Sequence, residues 1–211
     1  MIDTILETDS VEYDILFRAA LASTAATGAS CEIGVREGGA SELILRATHI
    51  NKSSRLHIAV DPWDSDAYPT LMRRRTTLRL SMMADAMNLD LLILPWEDTD
   101  FFARCADGVP FYQGDDAGRL ESTVRKLARQ VLNVRGELVT EYSFVHIDAD
   151  HTVPAVQRAI DFFATRTSLG GCWVFDDIHS YVDTPMLDCL ESLGFTVVER
   201  GANRLSVRKD K

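Results

Sequence analysis

Apolar positions along this chain follow two rhythms. Nearly unbroken apolar runs at Cys31–Val35, Leu56–Val60, Leu91–Leu94, Tyr142–Ile147 and Cys172–Phe175 have the length and continuity of strands buried on both faces. Between them, helical spacing of apolar residues predicts helices near Ser10–Ser23, Ala40–Ile50, Pro69–Met87, Leu120–Leu132 and Pro154–Thr165. Strands and helices taking turns almost end to end predict an α/β fold, a doubly wound and mostly parallel sheet of about seven strands wrapped by helices.

The last part of the chain departs from that alternation. Thr184 and Pro185 read as an N-cap and a first-turn proline, and Gly194 follows the last apolar position, so a short helix is expected over Pro185–Leu193. Phe195–Glu199 and Leu205–Arg208 flank Arg200–Asn203, the pattern of a C-terminal antiparallel hairpin that makes the sheet mixed. The stretch 107–141 is irregular, with turn signals at Asp107-Gly108, Gly114-Asp115-Asp116 and Arg135-Gly136 around a helix that lines up Leu120, Val124, Leu127 and Val131. Its length suits either a crossover helix with a decorated loop or a lid over a substrate pocket.

Composition narrows the class. With 211 residues, 46% apolar and 26% charged, one domain spanning 1–211 accommodates the whole pattern, with its N-terminal helix inside 1–28. Basic residues number 22 against 32 acidic ones, and a net charge of -10 excludes a broad electrostatic grip on nucleic-acid backbones. No run approaches the roughly 20 apolar residues of a membrane span, and Met1–Ser10 lacks the basic start of a secretory signal, so a cytoplasmic protein without a membrane partner is expected. Cys31, Cys105, Cys172 and Cys189 are scattered without Cys-x-x-Cys spacing and read as reduced core thiols. The N-terminal amphipathic helix suits a homodimer contact as well as it suits covering the sheet.

Two groups of residues carry chemistry. In the first, Glu32-Ile33-Gly34-Val35-Arg36-Glu37-Gly38-Gly39 places glycines where the first strand turns into the first helix, so backbone can approach a ligand closely. The spacing is E-x-G-x-x-x-G, not the dinucleotide G-x-G-x-x-G, and a carboxylate there suits an ammonium group better than a pyrophosphate. The second strand ends at Asp61, placed to accept hydrogen bonds from a ribose diol, and the third runs into Glu97 and Asp98, within reach of an adenine amino group. Taken in order these features favour a nucleoside cofactor, although each alone also fits tight packing or a helix cap.

In the second group, Tyr142–Ile147 runs into Asp148-Ala149-Asp150-His151, and Cys172–Phe175 runs into Asp176-Asp177. If these strands are parallel neighbours, four acids and a histidine meet at the carboxyl edge where α/β sheets bind ligands. Such crowding calls for a cation, and hard oxygen donors suit Mg²⁺ or Ca²⁺, while single acids in the set can equally serve as caps or solvated groups. His146, inside its strand, reads as a tautomer-fixed core residue and not a ligand. His179 and Tyr181 are candidates to line an acceptor pocket, and Trp63 and Phe101 for the core or the pocket wall.

The chain resembles class I S-adenosylmethionine-dependent methyltransferases, in particular the bacterial macrocin-type and caffeoyl-CoA-type O-methyltransferases. Glu32-Ile-Gly34-Val-Arg-Glu-Gly38, Val60-Asp61-Pro62-Trp63, Phe144-Val-His-Ile-Asp148-Ala-Asp150-His151 and Gly170-Gly171-Cys-Trp-Val-Phe-Asp176-Asp177 carry the resemblance, which covers nearly the whole chain. It implies a Rossmann-like domain in which Glu32, Gly34 and Gly38 face the methionine part of the cofactor, Asp61 the ribose beside Trp63, and Glu97 or Asp98 the adenine. It also implies a divalent metal, Mg in the first instance, held by Asp148, Asp176 and Asp177, with Asp150 behind them or capping a helix. A sulfonium methyl is already electrophilic, so such an enzyme must mainly deprotonate a hydroxyl of a small-molecule acceptor and hold it in line. His151 falls where the caffeoyl-CoA-type relatives have a lysine, and an imidazole there is the candidate base. Ala149, Val153-Pro154 and the 107–141 segment depart from the family pattern and leave the acceptor open. The rival readings are an NAD-dependent oxidoreductase, which Asp61 also suits, and a non-catalytic adenosyl-binding module.

Overall fold

A computed structural model describes residues 11–63, 70–111, 137–148 and 150–211. Helix α1 (Tyr13–Ala22) precedes β1 (Ala29–Ile33), α2 (Gly39–Ile50), β2 (His57–Val60), α3 (Thr70–Met87), β3 (Leu91–Leu94) and α4 (Asp98–Arg104). The short strands β4 (Val109–Phe111) and β5 (Glu137–Val139) lead into β6 (Tyr142–Ile147), α5 (Val153–Phe163), β7 (Thr167–Phe175), α6 (Thr184–Ser192), β8 (Phe195–Arg200) and β9 (Leu205–Lys209).

The main sheet has seven strands in the order β3-β2-β1-β6-β7-β9-β8. Strands β3 to β7 run parallel, and β9 and β8 close the edge antiparallel as the expected hairpin. After β3 the chain returns to the other side of β1, so the order reverses between β1 and β6. The carboxyl ends of strands at such a reversal are where open α/β sheets form a crevice and take ligands.

Alternation along the strands divides the interior in two. Cys31, Ile33, Val145, Ile147, Trp173 and Phe175 pack on one face with Phe101 of α4, Val156 and Ile160 of α5 and Leu190 of α6. On the other face Phe144, Cys172 and Val174 meet Leu16 and Ala20 of α1 and Ile44 of α2. Ala59 and Trp63 pack there with Leu80 of α3. All four cysteines are free thiols, three of them buried. No described helix is long and apolar enough to cross a membrane.

Several boundaries move for local reasons. Strand β7 begins at Thr167, ahead of the apolar run at Cys172, because Thr167 pairs with Tyr142 before a register shift, across exposed Leu169 and two glycines that carry no apolar signal, brings Cys172 opposite Phe144. Asp183, not Thr184, caps α6, its Oδ1 accepting from the Met186 N–H at 3.0 Å. Thr152, not Asp150, caps α5, and Pro154 sits in the first turn. Helix α4, seven residues long, is too short to show a period, yet it inserts Phe101 fully into the core. The ends of the irregular 107–141 stretch pair as the antiparallel strands β4 and β5. The helix expected over Leu120–Leu132 lies outside the described residues.

Candidate active site

One residue past each central strand, backbone bonds continue the ladder. The N–H groups of Gly34, Asp61, Asp148 and Asp176 donate to the carbonyls of Val60, Leu94, Ile33 and Ile147 at 2.8 to 3.1 Å. All four therefore stand on one edge of the sheet, as the sequence implied. Gly34 and Gly38 have φ of 88° and 81°, in the left-handed region open to glycine, so the turn between them depends on their lack of a side chain.

Asp61 organises this turn. Its Oδ2 accepts the N–H groups of Val35 and Arg36, and its Oδ1 that of Trp63, each at 2.8 Å. A carboxylate offers about four acceptor sites, so roughly one is left for a ribose hydroxyl unless a backbone bond is released. Arg36 and Trp63, neither of them glycine, both have φ of 49°, a strain held by these bonds and by the Trp63 indole N–H donating to the Arg36 carbonyl at 2.8 Å. Trp63 is 2% exposed and packs under the turn, so it supports the turn from the core.

Glu32 lies inside the protein, beneath the turn. The even-numbered face of β1 turns toward α2, and the Ser41 hydroxyl donates to Glu32 Oε2 while His146 Nδ1 stands 3.1 Å from Oε1. His57 Nε2 is 3.7 Å away and its ring is held by Ser30 and Ser41. Burial opposes the charge on Glu32, but the donors on His146 and His57 prevail and hold its carboxyl down to about 2. Burial also lowers the His57 pKa. Further along the edge Glu97 is exposed at the start of α4, and Asp98 lies 3.6 Å from Arg158.

On the other side of the crevice, β6 and β7 pair in register through Ile147↔Phe175 and bring Asp148 and Asp176 side by side. His146, Asp148 and Asp176 share one face by alternation, and ligating atoms from the three lie within 4.8 Å of one another. His151 sits between two carboxylates, Nε2 at 3.4 Å from Asp148 and Nδ1 at 3.4 Å from Asp177, with its ring stacked on Tyr181. Burial raises the Asp148 pKa, with the Asp176 and Glu32 charges adding to the effect and His151 opposing it. Asp148 in turn raises the His151 pKa against the effect of burial. Asp177 is half-exposed in the left-handed region at φ 49°, and Asp150 is exposed with Oδ2 accepting from the Thr152 hydroxyl. Tyr181 is buried and donates its hydroxyl to the Asp176 carbonyl, while His179 is exposed.

A family model described as a methyltransferase domain matches residues 31–178, a span that contains the glycine turn, Asp61, Asp148, His151, Asp176 and Asp177. The chain belongs to that methyltransferase family. Membership removes the nicotinamide reading of Asp61. Searched against curated proteins, the sequence has no match.

Solved structures share the fold of this methyltransferase at low identity. The calicheamicin methyltransferase CalS11 is 13% identical, with a TM-score of 0.56 over 92% of this chain and 76% of that one. The O-methyltransferase TomG from Streptomyces achromogenes, in complex with SAM, is 12% identical, with a TM-score of 0.55 over 96% of this chain and 82% of its own. MycE from the mycinamycin pathway, in complex with Mg and SAH, is 14% identical, with a TM-score of 0.51; 95% of this chain corresponds to 49% of MycE.

One member of the methyltransferase site escaped the sequence reading. Arg204, fully buried at the start of β9, donates from Nε and Nη2 to the two oxygens of Asp176 at 3.0 and 2.9 Å. Its guanidinium also lies 4.4 Å from the centre of the Tyr13 ring. The turn that presents it is held by Glu12, whose carboxylate accepts the N–H groups of Ala202, Asn203 and Arg204. In sequence Arg204 is one more cation beside a turn, and only the β7·β9 pairing carries it to Asp176.

Proposed function

We propose that this methyltransferase moves the methyl group of S-adenosylmethionine to a hydroxyl oxygen of a small-molecule acceptor, with His151 as the base. The observation that carries this reading is the imidazole of His151 held between Asp148 and Asp177 at the sheet reversal, across the crevice from the glycine turn. The new O–C bond forms as the S–C bond breaks, the hydroxyl proton passes to His151, and S-adenosylhomocysteine leaves without the sulfonium charge. Asp148 and Asp177 flank the ring at 3.4 Å each and stabilise the imidazolium that results. The Gly34–Gly38 turn and Asp61 bind the cofactor, with Glu32 setting the turn from beneath and Asp98 or Glu97 on the adenine side.

The donor set fits a divalent cation. Asp148 and Asp177 are partly open to solvent, Arg204 pairs with Asp176, and among the described residues His151 stands 3.4 Å from each of the other two carboxylates. Asp148, Asp176 and Asp177 would hold the ion, Mg²⁺ in the first instance, and when bound it lowers the pKa of the acceptor hydroxyl and orients it. The net charge of -10 favours a small-molecule acceptor over nucleic acid.

Thermal unfolding with saturating S-adenosylhomocysteine, first in EDTA and then in Mg²⁺, tests cofactor and metal before any acceptor is known. At 100 times the dissociation constant, binding adds about 2.7 kcal/mol, a rise of roughly 5 to 10 °C for a domain of this size. A rise in EDTA with a further increment in Mg²⁺ supports both parts. A rise without the increment removes the metal, and no rise in either buffer removes the cofactor.

A further inference from the structure

One face of α3 grips the glycine turn. Thr76 Oγ1 donates to the Arg36 carbonyl at 3.1 Å, and the Trp63 indole reaches the same oxygen. About one turn further along α3, Arg79 Nη2 donates to the Glu37 carbonyl. Its Nη1 donates at 2.9 Å to Oε2 of Glu42, in the first turn of α2, while Arg46 takes Oε1 of the same carboxylate. Glu42 is buried, so it anchors the guanidinium and makes Arg79 a bridge from α2 to the turn. Gly38 lets the helix come this close, because a Cβ there would stand 3.0 Å from both Thr76 Cγ2 and Leu80 Cδ1.

The N–H groups of residues 34–38 can be accounted for one by one. Gly34 donates to the Val60 carbonyl and Gly38 to the Val35 carbonyl, and those of Val35 and Arg36 go to Asp61. Glu37 alone has no acceptor for its N–H among the described residues. That N–H shares a planar trans peptide with the Arg36 carbonyl, which α3 and Trp63 hold, so it points away from α3. The carbonyl on the other side of Glu37 is the one that Arg79 holds.

We propose that Arg79 is a positioning residue for the methyl donor, fixing the Glu37 backbone so that its N–H donates to the carboxylate of the methionine part of S-adenosylmethionine. This deepens the cofactor reading above and rests on it. The guanidinium suits the task because its rigid fork serves a carboxylate and a carbonyl at once, which a single ammonium cannot do with the same geometry.

The test is calorimetric binding to the full chain of S-adenosylhomocysteine and of 5′-deoxy-5′-methylthioadenosine, which keeps the adenosine and lacks the amino-acid part. R79M should weaken S-adenosylhomocysteine by about 10-fold and leave methylthioadenosine within about twofold of wild type. R79K, which keeps the charge and loses the fork, should fall between R79M and wild type. The Arg79 side chain is 45% exposed, so the urea midpoint of R79M should stay near that of wild type. Equal weakening of the two ligands, or no weakening of S-adenosylhomocysteine, overturns the positioning role and leaves the cofactor reading standing. A wild-type chain that does not bind S-adenosylhomocysteine overturns both.

Discussion

At the glycine turn the polar groups find partners within the chain. Asp61 accepts three backbone N–H groups, Glu32 is met by Ser41 and His146, and the Trp63 indole donates to Arg36. At the ends of β6 and β7 the same kinds of group are left with charge to spare. Three carboxylates lie close to Arg204 and His151, and the Nε2 of His146 is buried without a hydrogen-bond partner among the described residues. The first region holds its shape by its own bonds, and the second is the one that the metal proposed above would complete. A binding fold can therefore be stable while its reactive half stays poised.

The largest test of that contrast is Arg204→Met. It leaves Asp176 buried beside Asp148 without its guanidinium, and urea unfolding should show a loss of about 3–5 kcal/mol. Adding Asp176→Asn to the same chain should recover part of it. A loss below about 1 kcal/mol would mean that Arg204 is not what holds the acidic edge together.

Asp61→Ala strikes the other region. Stranding three backbone N–H groups should cost about 1–3 kcal/mol and abolish the thermal shift with S-adenosylhomocysteine. Asp177→Asn, at a half-exposed site, should change stability by no more than about 0.5 kcal/mol and remove the Mg²⁺ increment while leaving the shift in EDTA. If Asp177→Asn also removed the shift in EDTA, the two regions would not be separable.

The regions should also differ in the sign of their pH response. The Glu32 carboxyl is held below its ordinary value, so its contribution is present above pH 4.5 and is lost as pH falls toward about 2. Stability of wild type relative to Glu32→Gln should therefore shrink on acidification. His151 is raised above its ordinary 6.5, so its ion pairing contributes fully below pH 6.5 and is lost as pH rises through the higher folded value. Asp148→Asn should lower the His151 midpoint in an NMR titration, and methyl transfer should accelerate with pH as the neutral imidazole accumulates.

A modest effect is expected at Glu12, which ties α1 to the hairpin turn from a partly exposed position. Glu12→Ala should cost no more than about 1 kcal/mol in urea unfolding, well below Arg204→Met although both act on the same turn.

Strand–helix alternation, the glycine turn, Asp61 at the end of β2 and the acidic pairs after β6 and β7 were legible because each is a local pattern, apolar period or residue type at a strand end. From these the α/β order, the hairpin and the residues of the crevice edge follow. Contacts between distant segments are not written locally. The sequence placed Glu32 at the cofactor, and the β1·β6 pairing with α2 above it turned that side chain inward to Ser41 and His146. Trp63 read as a core or pocket-wall residue beside the ribose, and it packs with Leu80 and Ala84 beneath the turn. Arg204 carried no signal, because its role depends on β9 pairing with β7. Local periodicity determines which elements form and which residues stand at their ends, whereas the partner of a buried charge is chosen by packing, since only there does the cost of leaving it unpaired arise.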